Sequence, residues 1–333
     1  MKIAEAKETS NLSFFDRMGV LSHGVDCDWR FTQASVEKFG SILASHTRVL
    51  CAGTPNLYDY LARKGCNTFL IDKNSLLSPH LIETDTAKFM VGDISAIEGL
   101  NKDFSAAVMD PPWYPEDYEN WLVNILKVLQ PGAYLYIVLF KSLTRPSAFA
   151  ERELLIQKLS DIGQAKFLEL NLEYATPLFE TEVLKRHDIY GLNTWRTADV
   201  LEVKLSSKSI EWPKKFNEMP ISKIEWQKYP INNQIIAIAR NDQDFGALAS
   251  HSIDAVSESY ELLSVSRRDP NWKGANVWTS RSRAARVIGT QTLCDILTGI
   301  AANGKSYLTG IAPINREPFL ELMTNLEIDL GKL

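Results

Sequence analysis

Paired cysteines are absent from this chain: Cys27, Cys51, Cys66 and Cys294 are scattered, and no two form a C-x-x-C unit. That argues against a cysteine-built zinc site and against the disulfide framework of a small secreted domain, and no metal site is expected. Long apolar runs are absent as well. No window approaches the roughly 18 uninterrupted apolar residues of a membrane span. The opening "MKIAEAKETSNLSFFDRMGV" has no apolar core like that of a signal peptide. A reducing, cytoplasmic setting without a membrane is the expectation. An excess of one charge is missing too. With 36 basic and 41 acidic residues the net charge is −5, so the molecule as a whole does not draw nucleic acid, although a local basic patch remains open. There is no internal repeat and no low-complexity segment.

What is present is a rhythm. "TRVLCAG" (47–53) is a short apolar run closed by glycine, and "NLYDYLARKG" (56–65) reads as a helix ended by Gly65 in a left-handed cap. "CNTFLID" (66–72), "AKFMVGD" (87–93) and "FSAAVMD" (104–110) are three further strands. In "EDYENWLVNILKVL" (116–129), Tyr118, Trp121, Leu122, Ile125, Leu126 and Leu129 fall at helical spacing, which predicts an amphipathic helix. "PGAYLYIVLF" (131–140) is a turn and a fifth strand, and "RELLIQKLSDIG" (152–163) another helix. "AKFLELNLEY" (165–174) and "TADVLEVKL" (197–205) complete seven strands. Strands alternating with helices imply a mostly parallel sheet covered on both faces. The last two strands lack a good crossover helix, so they are expected as an antiparallel hairpin.

The expected organisation is therefore an α/β core over 46–206, with a helical N-terminal extension over 1–45 and an accessory region over 207–333. "QASVEKFGSILASH" carries helical spacing in the first of these. In the third, "SSKSIEWPKKFNEMP" reads as a polar linker and "NNQIIAIARN" as one more strand. The rest is expected to be largely helical, with "SRAARVIGTQTLCDILTGIAANG" the best amphipathic candidate.

In open α/β sheets ligands bind outside the carboxyl ends of the strands. Gly53, Asp72, Asp93 and Asp110 all fall at such ends. One acid after a strand usually caps a helix or forms a turn, but three in succession in one sheet ask for more. Asp72 lies 19 positions beyond Gly53, against roughly 20 for a carboxylate that accepts from both hydroxyls of a ribose. Gly53 would let the backbone approach such a ligand closely. The loop reads "AGTPN", however, without the G-x-G-x-x-G of a pyrophosphate cradle. A nucleoside cofactor without phosphates, S-adenosylmethionine, suits it better.

Asp110-Pro111-Pro112-Trp113 then acquires a chemical meaning. An amine attached to an aromatic ring delocalises its lone pair into that ring. An acid and a nearby backbone carbonyl that accept its two N–H groups favour a tetrahedral nitrogen with its lone pair free for a methyl group. Prolines hold such carbonyls rigidly, and an adjacent aromatic side chain can stack on the base. The benefit would be positioning and preorganised electrostatics. The bland alternative is a proline-rich loop with buried aromatics.

The D-P-P-W tetrad resembles the D/N-P-P-Y/F/W motif of amino-group methyltransferases. The wider stretch "RVLCAGTPNLYDYLARKGCNTFLIDKN", followed by "AVMDPPWY", resembles the N6-adenine methyltransferase-like family, which includes ribosomal-RNA adenine and protein-lysine methyltransferases. The resemblance covers 47 to about 140 and leaves out the C-terminal third. It implies a class I methyltransferase, Rossmann-like fold with a seven-stranded, mostly parallel sheet, and S-adenosylmethionine as cofactor. Residue by residue it implies that Asp110, Pro111, Pro112 and Trp113 hold the amine; Tyr114 beside them is a further substrate-binding candidate. It places Gly53 and Thr54 by the methionine moiety, Asp72 at the ribose, Asp93 at the cofactor adenine and Asp110 also at the cofactor. The missing G-x-G and the absence of a zinc knuckle are departures.

The acceptor expected first is the N6 amine of adenine in RNA or DNA. A protein lysine amine is the alternative, and a catalytically silent binding or scaffold subunit is a third reading. Nucleic-acid contact is expected from "SRRDPNWKGANVWTSRSRAAR" (266–286). There Arg267, Arg268, Lys273, Arg281, Arg283 and Arg286 interleave with Trp272 and Trp278; a solvated helix face over packed tryptophans is the competing reading. His187 with Asp188 is a weaker candidate for a base or substrate contact, and "YATPLFE" (174–180) for the substrate mouth.

Overall fold

The computed structural model describes residues 21–142, 144–207, 225–232, 234–240, 253, 260–264 and 275–331. The first 20 residues, most of the expected linker, and Arg267, Arg268, Trp272 and Lys273 lie outside the described residues. Two compact units contain the rest. One comprises 29–176 and 193–207; the other comprises 21–28, 177–192 and the described part of 225–331. Each is taken by itself.

The first unit is built on eight strands: β1 (Arg30–Phe31), β2 (Val49–Ala52), β3 (Thr68–Asp72), β4 (Ala87–Val91), β5 (Phe104–Met109), β6 (Leu129–Phe140), β7 (Gly163–Ala175) and β8 (Thr197–Leu205). Their order across the sheet is β1-β7-β8-β6-β5-β2-β3-β4. From β4 to β6 all neighbours are parallel, while β8, β7 and β1 are antiparallel to theirs. The expected α/β sheet and its terminal hairpin are both present. The count of seven needs correction: β1 pairs with β7 through Arg30↔Ala175 and Phe31↔Tyr174. Two residues carry no periodicity, so only pairing reveals this strand. It also brings 29–45 into the sheet unit, past the boundary expected at residue 46.

Sequence explains the middle of the sheet. β2 is buried along its whole length, and β5 nearly so, as befits strands covered on both faces. Four helices belong to this unit: α1 (Gln33–Leu43), α2 (Pro55–Arg63), α3 (Pro115–Val128) and α4 (Ala148–Ser160). Proline opens both α2 and α3 at a position whose N–H would be unpaired in any case. Glu116 and Asp117 complement the positive end of α3. Tyr118, Leu122, Ile125 and Leu126 of α3 pack against Leu135, Ile137 and Leu139 of β6 in one buried core, so the stripe read from the sequence is a packing face. The buried Tyr118 hydroxyl donates to the Val138 carbonyl at 2.7 Å, which pins α3 to β6.

The second unit corrects the expectation of a largely helical C-terminal region. It holds a five-stranded antiparallel sheet: β9 (Glu225–Ile231), β10 (Gln234–Arg240), β11 (Tyr260–Glu261), β12 (Val277–Thr279) and β13 (Arg283–Ala285), in the order β11-β13-β12-β10-β9. Among the described residues three α-helices accompany it: α5 (Leu178–Arg186), α6 (Thr290–Asn303) and α7 (Pro313–Asn325). The helix expected from residue 282 starts only at Thr290. Gly289 before it has φ +83, which a helix cannot continue through, and Ala284 and Ala285 are paired into the sheet instead. Alanines have high helix propensity, and here strand pairing overrides it. Ile236, Ile238 and Val277 form the core with Leu293, Leu297 and Phe319. The segment 177–192 groups with this unit because Arg186 donates to the carbonyls of Leu262, Ser282 and Arg281 at 2.7–3.0 Å.

Among the described residues no helix is long and apolar enough to cross a membrane.

Candidate active site

Strand order reverses between β2 and β5: β3 and β4 continue on one side, β6 and its partners on the other. The crevice outside the carboxyl ends at such a switch point is the ligand-binding position of an open α/β sheet. Three of the four residues singled out at strand ends converge there. Gly53 follows β2, and its N–H donates to Ile71 O at 2.9 Å. Asp72 ends β3. Asp110 follows β5, and its N–H donates to Ala52 O at 3.3 Å. The backbone ladder thus runs to the point where the side chains take over.

Gly53 is required by its surroundings. Its φ is +64, and a Cβ there would come within 2.7 Å of the Trp121 ring and 3.3 Å of the Asp110 carbonyl oxygen. Close approach of two strand ends and a helix therefore needs glycine here. Next to it, the Thr54 hydroxyl is buried near the Cys51 thiol and makes no hydrogen bond of ordinary geometry. Asn56 donates its amide to Phe31 O at 3.1 Å, while its amide oxygen is buried with no hydrogen-bond partner. Unsatisfied buried acceptors cost stability unless something completes them. Asp72 is buried, accepts from Asn74 N at 2.8 Å, and lies 3.9 Å from the buried Arg30 guanidinium.

Asp93 stands apart, beyond β4. Its Oδ1 accepts from Ser95 N at 3.1 Å and Ser95 Oγ at 2.9 Å, and its Oδ2 lies 3.0 Å from Lys73 Nζ. Burial acts to raise its pKa, but the Ser95 bonds and the Lys73 ammonium prevail and hold it well below the usual carboxylate range. It caps the short 3-10 turn Ile94–Gly99, which is the common role of an acid after a strand.

The D-P-P-W corner is organised around Asp110. The Tyr174 hydroxyl donates to the carboxylate and lies 2.9 Å from both oxygens. The Trp113 side chain also bonds to it, and Arg30 and Arg196 are close enough to act on its charge. Burial is the largest influence and pushes the carboxyl up to about 7, against the pull of Tyr174, Arg30, Trp113 and Arg196. A carboxylate poised near neutrality in a crevice is what acid–base or hydrogen-bond chemistry requires. The Pro112 carbonyl accepts from Tyr114 N at 2.7 Å, so the corner is a tight turn leading into α3, for which Tyr114 is the N-cap residue.

Around this acid the sequence reading missed an aromatic cluster. Phe31 lies 4.8 Å from Tyr174, Trp113 lies 5.8 Å from it edge-on, and Trp29 lies 6.1 Å from it, again edge-on. The Arg196 guanidinium sits 3.8 Å from the Trp29 ring centre, 4.9 Å from Trp113 and 5.3 Å from Trp195. Tyr174 had a signal, since it opens the "YATPLFE" stretch read as a substrate mouth. Trp29 and Arg30 had none, because pairing of β1 with β7 is what brings them to the site, while Trp195 and Arg196 reach it through the pairing of β7 with β8.

The remaining candidates lie in the second unit. Arg283 pairs with Glu261 at 2.7 Å and with Glu327. Arg281 gives its carbonyl to Arg186. Trp278 is buried beside His23. His187 is the C-cap residue of α5, with Nε2 3.0 Å from Leu263 O, and Asp188 adopts φ +58 in the turn that follows. Among the described residues there is no cluster of three or more potential metal ligands. The four cysteines are free thiols.

No family model matches the sequence, and neither does any curated relative. The structure is similar to solved methyltransferases. A 1,6-didemethyltoxoflavin-N1-methyltransferase from Burkholderia thailandensis, solved with that compound and S-adenosylhomocysteine, aligns at TM-score 0.36 and 13% identity over 61% of this chain and 85% of its own. An rRNA methylase from Streptococcus thermophilus aligns at 0.34 and 14%, over 52% and 97%. A SAM-dependent methyltransferase from Methanosarcina mazei aligns at 0.32 and 20%, over 48% and 92%. Likenesses of this size carry no functional reading, which has to come from the site.

Proposed function

We propose that this protein is a class I methyltransferase that moves a methyl group from S-adenosylmethionine to an amino nitrogen, the exocyclic amine of adenine in nucleic acid being the acceptor. The observation that carries the reading is Asp110: a carboxylate held by Tyr174 and Trp113 at the switch point of the sheet, directly before two prolines. The cofactor crevice fits a nucleoside with an amino-acid tail. Asp72 would take the ribose hydroxyls, while the Gly53–Thr54 backbone and the unsatisfied Asn56 and Thr54 oxygens suit the polar tail. S-adenosylmethionine supplies an electrophilic methyl group on a sulfonium sulfur.

The chain's own residues do the rest. Ionised Asp110 and the Pro111 carbonyl accept the two N–H groups of the acceptor amine and turn its lone pair out of conjugation. As the C–N bond formed, the methyl–sulfur bond would break and the sulfonium would leave as a neutral thioether; Asp110 would stabilise the cationic nitrogen and then accept one of its protons, passing it to water. Trp113 offers a stacking face. An aryl amine is neutral and needs no prior deprotonation. A lysine ammonium has an ordinary pKa of roughly 10.4, far above that of Asp110, which makes this acid a poor base for it. The test is calorimetric titration with S-adenosylmethionine. Binding should weaken at least tenfold in Asp72→Ala; no binding to the wild-type protein would end the reading in favour of a silent scaffold.

A further inference from the structure

We infer that Trp29, Trp113 and Trp195 form the acceptor subsite, a box for a flat nitrogen-bearing ring, and that Arg196 fills it as a built-in plug which the acceptor displaces. The inference rests on the amino-methyl-transfer reading for what is methylated, but the box itself stands on geometry. Trp29 and Trp195 pack edge to face, their ring centres 6.0 Å apart at 81°, and make one corner of the box. The guanidinium lies 3.8 Å over Trp29, with Trp113 at 4.9 Å and Trp195 at 5.3 Å. Three indoles around one planar cation hold it by attraction of each ring for the charge, and the flat group stacks on Trp29.

The box also adjoins the acid. Tyr174 touches Trp29 and Trp113 with its ring and Asp110 with its hydroxyl. A ring bound on these indole faces would bring an exocyclic amine to the Asp110 side. The box is open to solvent on one wall, as Trp195 is 43% exposed while Trp29 is 7% exposed. Arg196 is the last residue before β8, and its carbonyl accepts from Tyr174 N at 3.0 Å. Its backbone is therefore fixed, while its long side chain has several torsions through which to swing out. A planar plug selects a planar ligand: a nucleobase replaces guanidinium on the same faces, whereas an ammonium on a thin aliphatic chain leaves most of the indole area uncovered.

The experiment compares wild type, Arg196→Ala and Arg196→Lys by calorimetry, with methylguanidinium, adenosine 5′-monophosphate and a lysine-containing peptide as probes. Folding is checked by thermal melting. Arg196→Ala should gain methylguanidinium binding that wild type lacks, and Trp29→Ala in the same background should abolish it. Adenosine monophosphate should bind Arg196→Ala at least threefold more tightly than wild type, with Arg196→Lys between them. Weaker nucleotide binding in Arg196→Ala, restored by lysine, would overturn the plug and make Arg196 part of the platform. A gain for the lysine peptide alone would overturn the ligand class. Methylguanidinium binding does not require methyl transfer, so failure of the enzymatic reading would leave that arm intact.

Discussion

The Tyr174 hydroxyl stands 2.9 Å from each carboxylate oxygen of Asp110, a contact between β7 and the end of β5 that spans 64 residues of sequence. One donor shared by two oxygens fixes the plane of the carboxylate and stabilises its ionised form. Burial works the other way and wins, leaving the group at about 7. The sign follows directly. The folded pKa lies above the unfolded one, so the stability contributed by this group is present at low pH and declines as pH rises toward 7. Its capacity to accept an amine N–H grows over the same range.

Methyl transfer should therefore rise with pH along an acid limb near 7 in kcat/KM. Tyr174→Phe removes a donor that favours the carboxylate, so the limb should move to higher pH, with activity severalfold lower at pH 7 and recovering by pH 9. Asp110→Asn should abolish the limb and reduce kcat by about 100-fold, in the range for losing one preorganised charged partner. A pH profile unchanged in Tyr174→Phe would separate Tyr174 from the ionisation of the acid.

Gly53→Ala tests the crowding at the end of β2. A Cβ at φ +64, 2.7 Å from the Trp121 ring, combines backbone strain with overpacking. Each costs about 1–3 kcal/mol. Thermal melting should fall by several degrees, and cofactor affinity should fall with it. Gly53→Ala together with Trp121→Leu should recover part of the stability but not the strain.

Arg283 was read from the sequence as a phosphate contact, but its guanidinium is committed to Glu261 and Glu327. Arg283→Glu should therefore lower the melting temperature, because it turns two attractions into repulsions. The slope of log Kd for RNA against log salt should stay the same. A slope reduced by about one unit would restore the phosphate role.

His23 offers a handle on the second unit. Burial pushes its pKa down to about 3, with Lys228 adding to the effect. Its ring also accepts from Val25 N at 3.1 Å, which requires a neutral imidazole. The unfolded chain therefore binds a proton that the folded one refuses, so stability should be full above about 6.5 and fall as pH drops toward 3. Urea melts followed by Trp278-sensitive fluorescence would measure this. His23→Asn, which keeps an acceptor but does not titrate, should flatten the slope over that range.

The sheet unit was largely legible because its strands are short apolar runs closed by Gly53, Asp72 and Asp110, and the ladder ends where those residues stand. Local pattern reached no further than local pairing. β1 has two residues, and the partner that makes it a strand lies more than 140 positions away. So Trp29 and Arg30 could not be assigned to the site from their own neighbourhoods. In the second unit, "SRAAR" has the alanines of a helix, yet Ala284 and Ala285 pair with Trp278 and Val277 of the preceding β12, and Ala284 also with Tyr260. Asp93, also at a strand end, has its carboxylate engaged by Ser95 and Lys73, contacts that strand-end position alone does not reveal.

The most direct test of the central claim is transfer of tritiated methyl from S-adenosylmethionine to separated RNA, DNA and protein fractions, with Asp110→Asn as control, followed by nucleoside analysis of the labelled polymer. The account predicts label in nucleic acid, recovered as N6-methyladenosine or its deoxy counterpart, and lost in the variant. Label confined to protein, or label in nucleic acid that survives Asp110→Asn, would contradict it.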